Sequence, residues 1–378
     1  MDFILTREQK SMQKAAREFL KAECTSDFVR AMEADDTGCT PEFWRKMTQL
    51  DWMALTVPVQ HEGVGGSLID LVLMLQEMGR ACVPGPFFST VVLGITAIVE
   101  CGSDSQRREL LPKLADGQLM MTLALAEVGT TRWNPNLITL DAAADSDGYI
   151  LNGTKLFVAD AHVADYIICV ARTTGASTDP AGITLFLVDP KTPGIELKPL
   201  KTIGGDKQFE IGFKDVRIQA ESILGQLNQG GGHLKRILQV AAVCKCAEMV
   251  GGAESVLEMS SAYAKERQQF GKPIGSFQAV QHHCANMLID LEGSRYITYK
   301  AAWMLDNHLA CDKEVAIAKA WVSDAYRKTA ALGHQVQGGA AFMAEHDMTL
   351  FSRRAAAAAV TFGDAGHYRE VIAGLIGL

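Results

Sequence analysis

The spacing of apolar residues divides the chain into three parts. In residues 1–117, apolar positions recur at the intervals of amphipathic helices, as in SLIDLVLMLQEMGRAC, which begins at Ser67. Ser67 and Asp70 have the spacing of a capping box, so we expect a helix to begin there. A second helix is expected to begin at Thr40, because proline at position 41 is tolerated in the first helical turn. These features predict an N-terminal helical domain.

Residues 118–228 have a different pattern. Short segments rich in β-branched and aromatic residues are bounded by Gly, Asp or Pro: MTLALAE, GYILNGTKLFV, DYIICVAR, ITLFLVD, IELKPL and FEIGFKDVRI. Asp147–Gly148 and Asn152–Gly153 are dipeptides typical of tight turns. The pattern predicts a small middle β-domain, either a barrel or a sandwich.

The third part, residues 229–378, has helical spacing that begins after three consecutive glycines at positions 230–232. Five residues form one expected apolar face, namely Val280, Cys284, Met287, Leu288 and Leu291. The length suits a four-helix bundle, and the alanine run at 355–359 suits a tightly packed helix. Because helical and β segments are segregated along the chain, the predicted fold class is α+β.

Composition and charge exclude several classes of protein. The chain has 378 residues, of which 48% are apolar, so it can bury a core for two or three domains. A net charge of −8 provides no basic surface for nucleic acid or an anionic membrane. The N-terminus, MDFILTREQK, lacks a secretory pattern, and no apolar run is long enough to cross a bilayer. We expect a cytoplasmic location.

The nine cysteines are scattered, and none forms a Cys-x-x-Cys pair. The two nearest, Cys244 and Cys246, lie in a helical segment and point to different faces. This distribution predicts reduced thiols, without a disulfide framework or a metal site.

Two segments carry a resemblance to a known family. YAKERQQFGKPIGSFQAVQHHCANM, residues 263–287, resembles a signature of the acyl-CoA dehydrogenases, and so does HQVQGGAAFMAEHDMTLFSRRA, residues 334–355. Both occur in the family's order within a helix, sheet and helix chain of suitable length. The resemblance therefore covers essentially the whole sequence, and it implies flavin adenine dinucleotide (FAD) as the cofactor.

The resemblance also implies roles for individual residues toward an FAD bound mainly to a neighbouring subunit. Arg267 offers a charged fork to the pyrophosphate, Phe270 packs on flat apolar parts, and Gln278 offers a donor and an acceptor. In the second signature, Gln335 and Gly339 match positions that approach the adenosine end, where glycine permits a close backbone contact.

Each of these residues has an ordinary structural interpretation as well. Arg267 alone would be a solvated helix residue, Phe270 a core residue and Gly271 a helix stop. Two signatures roughly seventy residues apart favour the cofactor interpretation when they are taken together.

The segments expected to hold the flavin ring differ from the family pattern. The family has a Thr-Glu-Pro-type turn and a Trp-Ile-Thr-Asn-like stretch, whereas this chain has AEVGTTR at residues 126–132 and FVAD from Phe157 onward. Thr130 and Thr131 retain hydroxyl groups, but Ala159 stands where a hydroxyl would donate to the flavin. Either this subunit holds the ring through backbone groups, or it holds none.

The catalytic base is missing from both family locations. Family chemistry removes a proton α to the thioester while hydride leaves the β carbon for flavin N5, which requires a carboxylate facing the substrate. Alignment with the family puts Phe362 at one location and Ala241 at the other, and neither side chain accepts a proton. Ala242 replaces the neighbouring arginine that helps to secure CoA.

Two carboxylates near these positions are candidates for a relocated base. Asp364 lies two residues beyond Phe362, and Glu248 lies two helical turns beyond Ala241, roughly 10 Å along the axis. Their structural alternatives are that Asp364 caps or closes a turn and that Glu248 makes a polar contact inside the bundle.

This combination resembles the base-lacking partner subunits of hetero-oligomeric acyl-CoA dehydrogenases that degrade steroid side chains or other bulky acids. The implied partners are an acyl-CoA substrate, a related catalytic subunit and electron-transfer flavoprotein, within a dimer of dimers. Two other hypotheses remain open. One is a self-sufficient homo-oligomeric FAD enzyme that uses a relocated acid or needs none, and the other is a CoA-thioester binding protein without a redox role.

Overall fold

The computed structural model describes residues 3–129, 137–176 and 181–378. Six α-helices precede the sheet: Arg7–Glu23 (α1), Ser26–Ala34 (α2), Pro41–Gln49 (α3), Leu68–Arg80 (α4), Thr96–Cys101 (α5) and Asp104–Ala115 (α6). A π-helical segment, Phe88–Ile95, leads into α5. The predicted helical N-terminal part is therefore confirmed.

The predicted helix starts are formed by the side chains that predicted them. Ser67 accepts a hydrogen bond from the backbone N–H of Asp70, and the Asp70 carboxylate accepts one from the Ser67 N–H at 2.8 Å. This reciprocal capping satisfies N–H groups that the first helical turn leaves free. The Thr40 hydroxyl caps α3 by accepting a hydrogen bond from the Phe43 N–H at 3.1 Å, and Pro41 is the first residue of that helix.

The middle of the chain forms one mixed eight-stranded sheet. Its strands are Met121–Ala124 (β1), Asp141–Asp145 (β2), Gly148–Ala159 (β3), Tyr166–Arg172 (β4), Ile183–Val188 (β5), Ile195–Leu200 (β6), Gln208–Gln219 (β7) and Ile223–Leu224 (β8). Their order is β6-β7-β3-β2-β4-β5-β8, and β1 pairs with β4 in parallel.

Of the two predicted turns, one is formed and one is not. Asp147–Gly148 lies at the tight turn that joins β2 to β3. Asn152–Gly153 lies inside β3, where the pairing with β7 shifts register and Gly153 has φ +146°. The turn prediction at Asn152–Gly153 is wrong, because glycine there allows a bulge in a continuous strand.

The central strands are covered on both faces. In β4, Ile168 and Val170 pack into the helical core, whereas Ile167 and Cys169 pack into a second core inside the sheet domain. Successive side chains of a strand point to opposite faces, so β4 joins the two cores.

The last part contains three long helices and two short ones: Gly230–Glu266 (α7), Gln278–Asp306 (α8), Asp312–Gln337 (α9), Met348–Val360 (α10) and Ala365–Leu375 (α11). A small hairpin, Gln268–Gln269 (β9) and Lys272–Pro273 (β10), separates α7 from α8. The predicted bundle is confirmed, but its fourth member is broken in two. Phe362 and Gly363 have φ values of +58° and +100°, which end α10 before α11 begins.

The predicted apolar face of α8 is only partly buried. Met287 and Leu291 are in the core, whereas the side chain of Leu288 is 49% exposed in the single chain. The prediction that Leu288 belongs to the buried face is therefore wrong for the isolated chain. Its position on α8 turns its side chain away from α7 and α9. In α10, Ala355 and Ala359 are buried, as expected for a tightly packed alanine run.

Helices α4 and α7 approach each other closely. A Cβ added at Gly79 would collide with the carbonyl oxygen of Glu248, and one added at Gly251 would collide with that of Gln76. The two glycines therefore let the helix backbones touch. This contact brings α4 beside the part of α7 that contains Glu248.

The described residues include no helix with the length and apolar character needed to cross a bilayer. All nine cysteines are free thiols, and Cys244 and Cys246 are both completely buried.

Candidate functional site

The turn between α10 and α11 brings Phe362 to the position predicted for the base. Its side chain is buried, and its ring stacks on that of Phe88 with centroids 5.6 Å apart and planes inclined by 17°. The Tyr368 hydroxyl donates to the Phe362 carbonyl at 2.8 Å. An aromatic contact between the bundle and the N-terminal helices therefore fills this position.

A buried lysine fixes the same turn. Lys319 of α9 donates to the Gly363 carbonyl at 2.7 Å, to Ser323 Oγ at 3.0 Å and to two carbonyls in the last turn of α10. Burial lowers the Lys319 pKa to about 8, which still leaves most of the amine charged at neutral pH. Sequence reasoning missed this lysine, whose only signal is its place inside an apolar helical pattern.

The second expected base position, Ala241, and the two candidate carboxylates, Asp364 and Glu248, lie in different surroundings. Ala241 is completely buried in α7. Asp364 caps α11, accepting from the His367 N–H at 2.7 Å, and is exposed, so it does not swing into the site. Glu248 pairs with Lys245 one turn earlier on α7. Each carboxylate thus has a structural partner.

A cavity of about 160 Å³, which we call the polar cavity, lies where the N-terminal helices, the sheet and the bundle meet. It is partly open to solvent. Its charged lining residues are Glu33, Asp160, Asp206, Lys207, Lys245, Glu248 and Arg354. A second cavity, of about 200 Å³, lies between α7, α9 and α11 and is lined mainly by apolar atoms. Phe362 lines both cavities, so its ring forms part of the wall between them.

The two segments expected to hold the flavin ring meet at the C-terminal end of β3. The Leu156 N–H donates to the Ala126 carbonyl at 2.8 Å, and Thr122 donates to the Ala159 carbonyl at 2.6 Å. Phe157 is 59% exposed, with φ +53°. Ala159 offers no hydroxyl. Thr130, Thr131 and Arg132 lie outside the described residues.

Glu127 of the same segment belongs to a buried ion pair. Its carboxylate contacts Lys155 Nζ at 2.6 Å and accepts from the N–H groups of Thr139 and Leu140. Burial would raise the Glu127 pKa, but the charge of Lys155 and these donors outweigh that effect and lower it. Glu127 therefore organises the turn.

Asp160 was not singled out from the sequence as a titratable site. Its carboxylate accepts from Ser89 Oγ at 2.7 Å and lines the polar cavity. Burial raises the pKa of Asp160 to about 6. The nearby charged groups are Asp206, Lys245 and Arg354.

The residues expected at the adenosine side lie on the surface of the single chain. Arg267 follows α7, Phe270 lies at the tip of the β9–β10 hairpin, and Gln278 begins α8. Gln335 lies in the last turn of α9, with Gly339 just beyond it. Thus the structure groups the first three at one hairpin and the other two at the end of α9.

The side chains of this region are exposed, which is unusual only for Phe270. Phe270 is 91% exposed, and Arg267, Gln278 and Gln335 are exposed and have no hydrogen bond from their side chains within the described parts of the chain. A Cβ added at Gly339 would meet no atom within 4 Å, so the backbone there is open. These features leave an aromatic ring, a guanidinium and open backbone accessible on this surface.

Known proteins are similar over the whole length. YngJ of Bacillus subtilis, a probable acyl-CoA dehydrogenase, is 32% identical, with 99% of each chain covered. The FAD complex of PigA has a TM-score of 0.92 at 26% identity, with both chains fully covered. A structure described as the steroid ACAD Tcur3481-Tcur3483, G363A variant, has a TM-score of 0.88 at 28% identity and covers 98% of this chain and 97% of its own. The prediction of FAD as the cofactor is confirmed.

Three family models match consecutive parts of the sequence. The acyl-CoA dehydrogenase N-terminal domain matches residues 6–118, the middle domain residues 122–216, and the C-terminal domain residues 228–376. Together with the similarity to YngJ, these matches show that the chain belongs to the acyl-CoA dehydrogenase family.

Proposed function

We propose that this chain is the FAD-sharing, non-catalytic subunit of a hetero-oligomeric acyl-CoA dehydrogenase that introduces an α,β double bond into a CoA thioester. The observation that carries the proposal is the buried Phe362 side chain, stacked on Phe88 where the family's base is expected. A phenyl ring cannot accept the α-proton, and here it also forms part of the wall between two cavities.

The remaining carboxylates do not supply the missing base. FAD provides the hydride acceptor in this chemistry, while the protein must provide a proton acceptor on the opposite side of the substrate. Asp364 is exposed and engaged in capping α11, and Glu248 is paired with Lys245. Asp160 directly follows Ala159 in the segment that corresponds to the ring side, which is the wrong side for a base.

The exposed adenosine-side residues explain how a chain without a base remains necessary. The Arg267 guanidinium is exposed and makes no hydrogen bond or ion pair within the described residues, and Phe270 presents a ring to solvent. A charged fork binds a pyrophosphate, and an aromatic ring packs on a flat apolar surface. Arg267, Phe270, Gln278, Gln335 and Gly339 would hold the adenosine end of an FAD whose flavin lies on the partner.

The flavin end of this chain fits the cofactor less well. Ala159 supplies only backbone groups, and its carbonyl already accepts from Thr122. Phe157 is exposed and remains available to cover a ring edge. We therefore assign the productive flavin to the partner's own sheet domain, with Thr130, Phe157 and Ala159 marking the weakened site of this chain.

The proposed assembly contains a related catalytic subunit, arranged as a dimer of dimers. An exposed residue such as Phe270 can pack on a cofactor only when a second chain presents that cofactor to it. The reduced flavin of the partner would pass its electrons to electron-transfer flavoprotein, the acceptor that the family resemblance implies. The acyl-CoA would bind at the partner's base.

The proposal is tested by purifying the chain alone and together with a related acyl-CoA dehydrogenase from the same organism. The chain alone should lack the absorption of bound flavin, whereas the co-purified complex should be yellow and should bleach when acyl-CoA is added. A yellow homo-oligomer that bleaches with acyl-CoA would establish a self-sufficient enzyme instead. Acyl-CoA binding by the lone chain without flavin, in the absence of any stable partner, would favour a thioester-binding protein.

A matched substitution sharpens this test. Restoring glutamate with Phe362→Glu in this chain should leave the activity of the complex unchanged within about twofold, because the flavin lies on the partner. Replacing the partner's own base should abolish the activity. Loss of activity confined to changes in this chain's cavity would contradict the proposed division of roles.

A further inference from the structure

The polar cavity contains an arginine whose buried Nε has no hydrogen-bond acceptor within the described residues, although the charges of Asp206, Glu33 and Glu248 act on it and raise its pKa. Arg354 lines the cavity from α10, and its Nε is buried without an acceptor. Within the described residues, no carboxylate oxygen lies within 4 Å of the guanidinium. The preceding Arg353, in contrast, contacts Glu33 at 2.7 Å. Of these two adjacent arginines, Arg353 therefore forms an ion pair within 4 Å and Arg354 does not.

A buried guanidinium nitrogen without an acceptor needs an explanation. The group stays charged at every physiological pH, and its planar fork of donors matches a carboxylate. A buried donor without an acceptor costs free energy, so native proteins usually satisfy it with protein, water or ligand. The cavity beside Arg354 is large enough to admit that missing acceptor.

The neighbouring carboxylates are already engaged. Asp206 accepts from Thr202 Oγ1 and from Gln208 Nε2, each at 2.6 Å. Glu33 is held by Arg353, and Glu248 is held by Lys245. Turning Asp206 or Glu248 toward Arg354 would break an existing contact, whereas Glu33 uses only its Oε2 in the contact with Arg353.

Two acceptors in the same cavity are also unused. Glu33 Oε1 and Gln208 Oε1 are buried and have no hydrogen-bond donor in the parts of the chain that the structure describes. Water or a hydroxyl group that accompanies a bound acid can donate to both of them. An apolar acyl chain would leave these acceptors and the Arg354 donor unsatisfied, which argues against a hydrocarbon occupant.

The charges around the cavity allow one additional negative charge. Lys207, Lys245, Arg353 and Arg354 balance four carboxylates when Asp160 is ionised. A monoanionic group beside Arg354 would create one excess negative charge, which protonation of Asp160 removes. The other groups near Asp160 are Ser89, which donates to it, together with Cys39, Asp206, Lys245 and Arg354.

We propose that the polar cavity binds a carboxylate group through Arg354. The carboxylate belongs either to a small free organic acid or to the far end of a dicarboxylic acyl chain. The inference is independent of the proposed non-catalytic role, because it depends only on the cavity and its charges.

Calorimetric titration of the purified protein tests both sources of the carboxylate. The free arm compares adipate with its neutral diamide, and the thioester arm compares adipoyl-CoA with hexanoyl-CoA, which has the same number of carbons. We expect about tenfold tighter binding of the carboxylate in at least one arm, since hydrogen bonds to charged groups are strong. The arm that shows the preference identifies the source.

Variants connect the preference to Arg354. Arg354→Gln should remove the carboxylate preference, and Arg354→Lys should keep part of it. Arg327→Gln changes an exposed arginine on α9 and should have no effect. An unchanged unfolding temperature of Arg354→Gln would show that the loss of preference is local. If Arg354→Gln does not fold, the reduced preference of Arg354→Lys provides the measurement. Equal binding of acid and neutral compounds, or an undiminished preference in Arg354→Gln, would overturn the proposal.

Discussion

The carboxyl group of Asp160 joins the sheet to the N-terminal helices through Ser89, at a distance of 2.7 Å. Burial raises its pKa from 3.8 to about 6. The folded protein therefore holds this proton more tightly than the unfolded chain does. Stability associated with the protonated form is complete below pH 4 and is lost as the pH rises through 6.

This linkage predicts the effect of Asp160→Asn. The neutral amide keeps an acceptor for Ser89 and avoids burying a charge, so the variant should be more stable at pH 7.5 by roughly 2 kcal/mol. The advantage should shrink between pH 6 and pH 4. Urea unfolding at several pH values measures it. Asp36→Asn, on an exposed carboxylate, is the control and should show no such trend.

At the scale of single residues, the sequence shows which residue stands at a functional position, but not which contacts its side chain makes in the fold. The replacement of both base positions could be read from Phe362 and Ala241 directly. The missing acceptor at Arg354 Nε could not be read from it, because the nearby Glu33 and Asp206 come from distant segments and bond to other groups within the described residues. The capping role of Asp364 was one of two predicted alternatives, and the hydrogen bond from His367 decides in its favour.

At the scale of elements, the contact between α4 and α7 depends on two glycines. Gly251 lies against the Gln76 carbonyl, and Gly79 lies against the Glu248 carbonyl. Glycine in a helix interior lowers intrinsic helix stability by about 1 kcal/mol relative to alanine. The close contact of the two backbones offsets that cost and holds Glu248 at the polar cavity.

Gly251→Ala should therefore destabilise the protein by about 3 kcal/mol, because the new methyl group cannot fit against backbone atoms. Thermal or urea unfolding measures the change. Gly293→Ala on α8 is the matched control, since its Cβ would lie 3.5 Å from the nearest atom of Trp321. That variant should be neutral or slightly stabilising. Equal effects of the two substitutions would contradict the packing argument.

The elements differ in how far the sequence determines them. The capping spacing at Ser67 and the proline at position 41 act within a few residues, so both helix starts were predicted correctly. Asn152–Gly153 has the same local signal as a hairpin turn, but pairing with β7 keeps β3 continuous there. The break between α10 and α11 was predicted only as the alternative in which Asp364 caps or closes a turn, and the role of Lys319, which holds that turn from another helix, was missed.

At the scale of the whole molecule, the single chain leaves apolar and charged groups exposed around the β9–β10 hairpin and the end of α9. Phe270 and Phe342 are 91% and 71% exposed. Gln337 Nε2 donates to Ser260 Oγ at 3.2 Å, which joins the end of α9 to α7. A ligand shared with another subunit would cover them without any rearrangement of the bundle.

This arrangement predicts a specific result for Arg267→Ala in the assembled complex. Flavin retention after gel filtration, measured as the ratio of 450 nm to 280 nm absorbance, should fall by at least about tenfold at low FAD, because a charge-assisted contact to the pyrophosphate is lost. The unfolding temperature of the lone chain should not change, since Arg267 is exposed there.

Two further variants serve as controls. Arg45→Ala removes an exposed helical arginine far from the hairpin in sequence and should leave both measurements unchanged. Arg267→Lys should restore part of the flavin retention. If the complex keeps its flavin in Arg267→Ala, the hairpin does not bind the cofactor, and the chain must contribute to the assembly through another surface.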